Sequence, residues 1–245
     1  MAGFQQVNIS RNLQFTGPAN HDRNIEGNWN PDRIMKEWNF KELALDETNQ
    51  YTKYVDGTSA VALADGGITL TTAATDTKTC SYAFGGIHVL ASKKPYVEFK
   101  FQINAITNVA INAVLNDEVD ENSGLLPFTI SGTTITDNAT NGVGFCFDTN
   151  QTTARWYTVQ TIAGSQTGLL LSAAQAPFTA ATDITLGIEF DTSANATYFI
   201  NGVAVWYKAT ATTAATALVP YIGIRNNSAT AHILTCRYVR LWEDA

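Results

Sequence analysis

From Thr185 to Trp242 the chain alternates apolar and polar positions with little interruption. Thr185–Asp191 has period two, Ser193–Asn195 follows as a turn, and Ala196–Ile200 runs through Asn201-Gly202 into Val203–Tyr207. Period-two segments separated by turn residues predict antiparallel strands, and an Asn-Gly pair suits the type I′ hairpin turn. Beyond a small-residue loop at Ala209–Ala217, Leu218–Arg225 and Ile233–Trp242 alternate again. Strand patterns also occupy Phe40–Asp46, Tyr51–Gly57, Gly66–Thr72, Tyr96–Ile103, Thr107–Asn112 and Gly142–Asp148. In all there are about 13 strand candidates from Phe40 onward and no sustained helical period, which predicts an all-β class. One parity of each strand should face a core that includes Phe99, Phe101, Ile103, Phe145, Phe147, Leu186, Ile188, Phe190, Phe199, Ile222, Ile224 and Val239.

Residues 1–39 have a different texture and are expected to form an N-terminal arm, with the sandwich domain spanning 40–245. Gly17-Pro18, Glu26–Asn28 and Asn30-Pro31 punctuate the arm. Asn30 could cap a short helix with Pro31 at its first position, running through about Trp38. The arm also carries Phe4, Ile9, Phe15, Trp29 and Trp38, more apolar surface than a solvated tail needs. Two readings stay open: the arm folds back on its own β domain, or these five residues contact a sister subunit or another protein.

Composition narrows the classes. A chain of 245 residues with 45 % apolar and 11 % aromatic content can build one large β domain with a real core. Only 15 % of residues are charged, and the net charge of −7 leaves no basic stripe for nucleic acid. Cys80, Cys146 and Cys236 show no metal-type spacing and read as buried, reduced thiols. Met1–Gln6 lacks the basic start and apolar core of a secretory leader, and no apolar run approaches a bilayer span, so no membrane partner is expected. Synthesis in a reducing cytoplasm is the expected setting.

The closing segments Tyr198–Gly202 with Val205, Pro220–Ile224 and Tyr238–Trp242, with the earlier strand patterns, resemble the concanavalin A/laminin-G-like jelly roll. The version they resemble most is that of structural proteins of tailed bacteriophages, over roughly residues 40–242. The resemblance implies an antiparallel β-sandwich and a non-enzymatic virion protein on the outer capsid surface. It further implies a head decoration, or cement, protein that binds the major capsid protein, assembles as a homotrimer and needs no cofactor. The alternative it carries is a lectin-like, glycan-binding or receptor-binding domain of a phage fibre.

Candidate chemistry is sparse. Glu189 and Asp191 resemble the Glu-x-Asp strand of legume-type lectins, whose alternating carboxylates hold calcium and manganese. The further Asp and His of such a site are missing, since Tyr198–Gly202 follows instead. Asp117–Glu121, with Asp117 and Asp120 as candidate ligands, is the densest acidic cluster but lacks calcium-loop spacing. Laminarinase-type glycosidases on this sandwich carry Glu-x-Asp-x-x-Glu on one strand, and no such strand occurs here. His21, His88 and His232 have no nucleophile motif beside them and read as surface or strand-edge residues. Catalytic residues are therefore not expected. In Trp156-Tyr157 and Trp206-Tyr207 successive side chains take opposite faces, so at most one of each pair can offer a sugar platform.

Overall fold

The computed structural model describes residues 33–38, 40, 52–64, 66–84, 88–117 and 125–244. In chain order the strands are β1 (Arg33–Trp38), β2 (Thr52–Val55), β3 (Ala60–Ala64), β4 (Gly67–Thr71), β5 (Thr79–Ala83) and β6 (Val89–Leu90). Then come β7 (Tyr96–Ile103), β8 (Val109–Asn116), β9 (Phe128–Ser131), β10 (Thr134–Asp137), β11 (Gly142–Asp148) and β12 (Trp156–Ile162). The series closes with β13 (Ser165–Leu170), β14 (Ile184–Phe190), β15 (Ala196–Ile200), β16 (Val203–Lys208), β17 (Ala217–Asn226) and β18 (Ile233–Asp244). Among the described residues the only helical turn is the 3₁₀ segment Ala91–Lys93, and no helix is long and apolar enough to cross a membrane.

Two antiparallel sheets pack face to face. The first runs β16-β15-β14-β7-β18-β4-β3, with β1 beside the C-terminal half of β18. The second runs β13-β12-β11-β8-β17-β5-β2, with β6 beside β17. This is the jelly-roll sandwich of the concanavalin A type. The hairpin from β15 to β16 turns at Asn201-Gly202 with φ of 48° and 81°, the doubly positive pair that a type I′ turn demands.

Alternation fixes which face each strand buries. On β7, Val97, Phe99, Phe101 and Ile103 enter the inter-sheet core, where they meet Leu186, Ile188 and Phe190 of β14 and Val239 and Leu241 of β18. Trp156 fills the other sheet's inner face, its ring 5.1–6.3 Å from those of Phe101, Phe145, Phe147 and Phe178. Aromatic side chains of this size dominate the energetics, each contributing about 1.5–3 kcal/mol by area alone.

β8 and β11 are buried at every position rather than at alternate ones. The cause is a third layer: the β9–β10 hairpin lies across the outer face of the second sheet. Leu126, Phe128, Ile130 and Ile135 there cover Val114, Cys146, Tyr157, Val159 and Tyr221. Asn112 binds the hairpin through Phe128, and the buried Asp148 accepts from Ile130 N, Asn150 N and Asn227 Nδ2 while pairing with Arg225 at 3.3 Å.

Three expectations need correction. Residues 33–38 form strand β1, not the end of a helix, so the sandwich reaches back to Arg33 across the expected boundary at 40. The reason is tertiary: β4 pairs only with Ile233–Cys236, and the rest of that edge of β18 needs a partner for its backbone groups. Phe199 faces outward against Tyr96 while Tyr198 takes the core position. His232 stands at a strand edge, directly before β18, as one of the two expectations has it, but it is buried there, 1 % exposed, and not on the surface. Phe4, Ile9, Phe15 and Trp29 lie outside the described residues; of Trp38 the structure gives the backbone, paired with Val239.

Candidate functional site

The β9–β10 hairpin covers much of the outer face of the second sheet, and the outer face of the first sheet carries an open pocket. Its central strands present Tyr96 and Glu98 from β7, Gly187 and Glu189 from β14, and Tyr238, Arg240 and Trp242 from β18. Gly187 matters here, because a Cβ at that position would lie 2.5 Å from Tyr96 Oη and displace the ring. Glu98 is enclosed: it accepts from Tyr96 Oη at 2.8 Å and from Tyr238 Oη at 2.7 Å. Arg240 spans the next strand, its guanidinium 3.9 Å above the Tyr238 ring and its Nε 2.8 Å from Glu37. Burial and the adjacent Glu98 charge push the Tyr238 phenol well up from its ordinary range. This half of the face is a closed polar network that knits β1, β18 and β7 together.

At the end of the same face an open pocket of about 370 Å³ is lined by Lys94, Glu189, Asp191, Asn195, Thr197, Tyr207 and Asp244, with Phe190. Five elements build it. Lys94 follows the 3₁₀ turn in a left-handed conformation (φ 47°), Glu189 is the penultimate residue of β14, Thr197 and Tyr207 stand opposite each other on β15 and β16, and Asp244 ends β18. The Lys94 ammonium lies 3.0 Å from the Asp244 carboxylate. Tyr207 is 56 % exposed, whereas its neighbour Trp206 turns in to pack 5.2 Å from the Tyr198 ring.

The three carboxylates have different standing. Asp191 is committed to its own turn: Oδ1 accepts from Ser193 N and Asn195 N, and Oδ2 from Asn195 Nδ2. Those bonds, the Asn195 amide foremost, hold its carboxyl below the ordinary range, so it is ionised at neutral pH and cannot serve as a proton donor. Glu189 and Asp244 rise from strands separated by β7 alone. Across β7, Glu189 stands level with Trp242, so Asp244 lies one strand beyond β7 and two residues further along.

Sequence reasoning named Glu189 and Asp191, and the structure brings both to this pocket. Lys94, in the adjacent basic pair Lys93-Lys94 before Pro95, reads from sequence as a solvated turn charge, and Asp244 carries no local motif; both reach the pocket from distant loops and strand ends. Of the other candidate cluster only Asp117 is among the described residues. Asp117 accepts from Asn141 N at 2.8 Å and Asn141 Nδ2 at 2.7 Å, tying the end of β8 to the loop before β11, and Asp120 lies outside the described residues. Among the described residues no group of three or more His, Cys, Asp or Glu side chains is arranged to hold a metal ion.

No family model and no curated protein matches the chain. Solved structures do. A β-glucanase of Bacillus licheniformis superposes with a TM-score of 0.58 at 10 % identity, over 84 % of this chain and 97 % of its own. The apo Crh5 transglycosylase gives 0.57 at 14 % identity, over 86 % and 84 %. The carbohydrate recognition domain of Emp46p, in its metal-free form, gives 0.58 at 10 % identity, over 83 % and 94 %. At such identities the likeness establishes the concanavalin A-like sandwich and nothing finer. It nevertheless overturns two expectations, because the proteins sharing this sandwich nearly end to end include a glucanase and a transglycosylase. The reading as a capsid decoration protein and the expectation of no enzymatic activity are both withdrawn.

Proposed function

We propose that this protein is a carbohydrate-active enzyme that binds a glycan in the Glu189–Asp244 pocket and cleaves a glycosidic bond there. The observation that carries the reading is one juxtaposition: two carboxylates from different strands and an exposed tyrosine face line the same open pocket. Sugar-binding pockets combine an apolar ring face with a few convergent polar groups, and Tyr207, Asn195 and Thr197 supply that set. The likeness to a glucanase and a transglycosylase supports the same class.

In this reading Glu189 donates a proton to the leaving glycosidic oxygen. Asp244, positioned by Lys94, takes a proton from a water that attacks the anomeric carbon as the C–O bond breaks. With β7 between their strands and Asp244 two residues beyond the level of Glu189, the pair leaves room for that water, which favours inversion over a covalent intermediate. The laminarinase pattern is matched at two positions only, Glu189 and Asp191; Ala194 stands at the third. The acid pair therefore differs from that pattern, with β18 providing the second carboxylate.

The test is release of reducing ends from β-1,3- and mixed-linkage glucans and chitin oligosaccharides. Wild-type protein should release them, and Glu189→Gln should lose at least about 100-fold, the usual contribution of a general acid. Turnover that Glu189→Gln leaves unchanged, or no turnover of any glycan by wild-type protein, would overturn the proposal.

A further inference from the structure

Sandwich edges invite pairing by other strands, and among the described residues three of the four strands that end the two sheets, β3, β2 and β16, carry a guard. At one side β3 is closed against the facing sheet, with Cys80 Sγ donating to the Ala60 carbonyl at 3.2 Å, and β2 is four residues long and carries Lys53. At the other side β16 shifts register against β15, carries Lys208, and has its Val205 carbonyl capped by Gln175 Nε2 at 3.3 Å. Bulges, short length and lysines are the recognised devices that blunt an edge.

β13 has none of them. Its six residues, Ser165–Leu170, pair regularly with β12 and with no other strand, and every one is exposed. Leu169 and Leu170 are 39 % and 37 % exposed. No Asp, Glu, Lys or Arg occurs between Arg155 and Asp183, so the strand and both flanking loops carry no charge of their own on a chain of net charge −7, and Asp137 of the overlying hairpin, which accepts from Thr161 Oγ1, is the carboxylate brought beside it. Two identical chains of that charge repel each other elsewhere, but paired β13 strands bring no like charges of their own together.

We propose that β13 is a pairing edge for a second copy of this chain, joined antiparallel about a two-fold axis that passes near Thr167 and Gly168. The two second sheets then run on as one, the free backbone groups of each β13 find partners, and the leucines are covered. An isologous contact of this kind is self-complementary by construction. Six residues per copy is a small contact beside the roughly 1,200–2,000 Å² of a standard interface, so the dimer should form at micromolar concentration and dissociate on dilution.

Sedimentation equilibrium of the full chain from about 1 to about 200 µM reads this directly, since association follows mass action. The mass should rise from 26.5 kDa to twice that value. The double variant Thr167→Lys/Leu169→Lys, which places like charges across the axis on side chains already exposed, should stay at the lower mass with unchanged melting temperature. Hydrogen exchange on the wild-type protein gives a second readout that needs no variant: amides of 165–170 should slow at least about tenfold between the two concentrations. A single monomeric mass throughout, a dimer that the lysines leave intact, a three-fold assembly, or exchange at 165–170 that ignores concentration would each overturn the proposal.

Discussion

The side-chain amide of Asn112 holds both backbone groups of Phe128, accepting from its N–H at 2.8 Å and donating to its carbonyl at 2.9 Å. Asn112 sits on the outer face of β8, so this two-point contact stands in for a strand pair and clamps the β9–β10 hairpin over the second sheet. Its removal leaves the buried Phe128 N–H without its acceptor and the carbonyl with only the weak Cys146 Sγ donor at 3.7 Å, an unmet buried group costing about 1–3 kcal/mol. Asn112→Ala should therefore lower the unfolding free energy by roughly 1–3 kcal/mol in a urea titration, a large share of a typical 5–15 kcal/mol. A loss below about 0.5 kcal/mol would mean the hairpin is held by its apolar side chains alone.

The three thiols are predicted to be chemically silent while the fold is intact. Cys80, Cys146 and Cys236 are all buried and free. Desolvation pushes Cys80 up to about 12 and drives the other two higher still. The thiolate is the reactive form, so a disulfide-exchange reagent at pH 7.5 should label none of them in native protein and all three in guanidinium. Rapid labelling of native protein would show that one of these sites opens.

Acid should weaken the fold through His232. Burial lowers its pKa below 6.5, so the folded state holds the ring neutral while the unfolded chain takes up a proton near that value. The unfolded state then binds more protons in this window, and stability rises with pH through it. The penalty is absent above about pH 7 and grows as pH falls through about 6.5. Between those values and pH 5.5, above the range where carboxylates titrate, wild-type melting temperature should fall and the His232→Gln variant should show a shallower slope. Equal slopes would contradict the assignment to His232.

Much of the fold follows from residues read one strand at a time. Alternation in Thr185–Tyr207 and the Asn201-Gly202 turn are local signals, and both appear as β14, β15 and β16, with a register shift between β15 and β16 at Tyr198/Phe199. Exposure of Tyr207 beside a half-buried Trp206 follows from the same alternation. What could not be read locally depends on partners distant in sequence. β1 exists because β18 outruns β4, and the parity of β15, with Tyr198 inward and Phe199 outward, is set by the facing Phe145 ring. β8 and β11 look like inner strands because a hairpin covers their far face. The pocket is the extreme case: Glu189 carries a visible pattern, but Lys94 and Asp244 join it only through the order β14-β7-β18.

The central claim is that a glycan occupies the open face of the first sheet at Glu189, Asn195, Thr197, Tyr207 and Asp244. The most direct measurement is a two-dimensional amide NMR titration of the Glu189→Gln protein with a glucan oligosaccharide, the variant preventing turnover during the experiment. Shifts confined to residues around 94, 189–197, 207 and 244, abolished by a further Tyr207→Ala change, are the predicted result. No saturable shift with any glycan, or shifts centred on the β9–β10 hairpin and the second sheet, would contradict it.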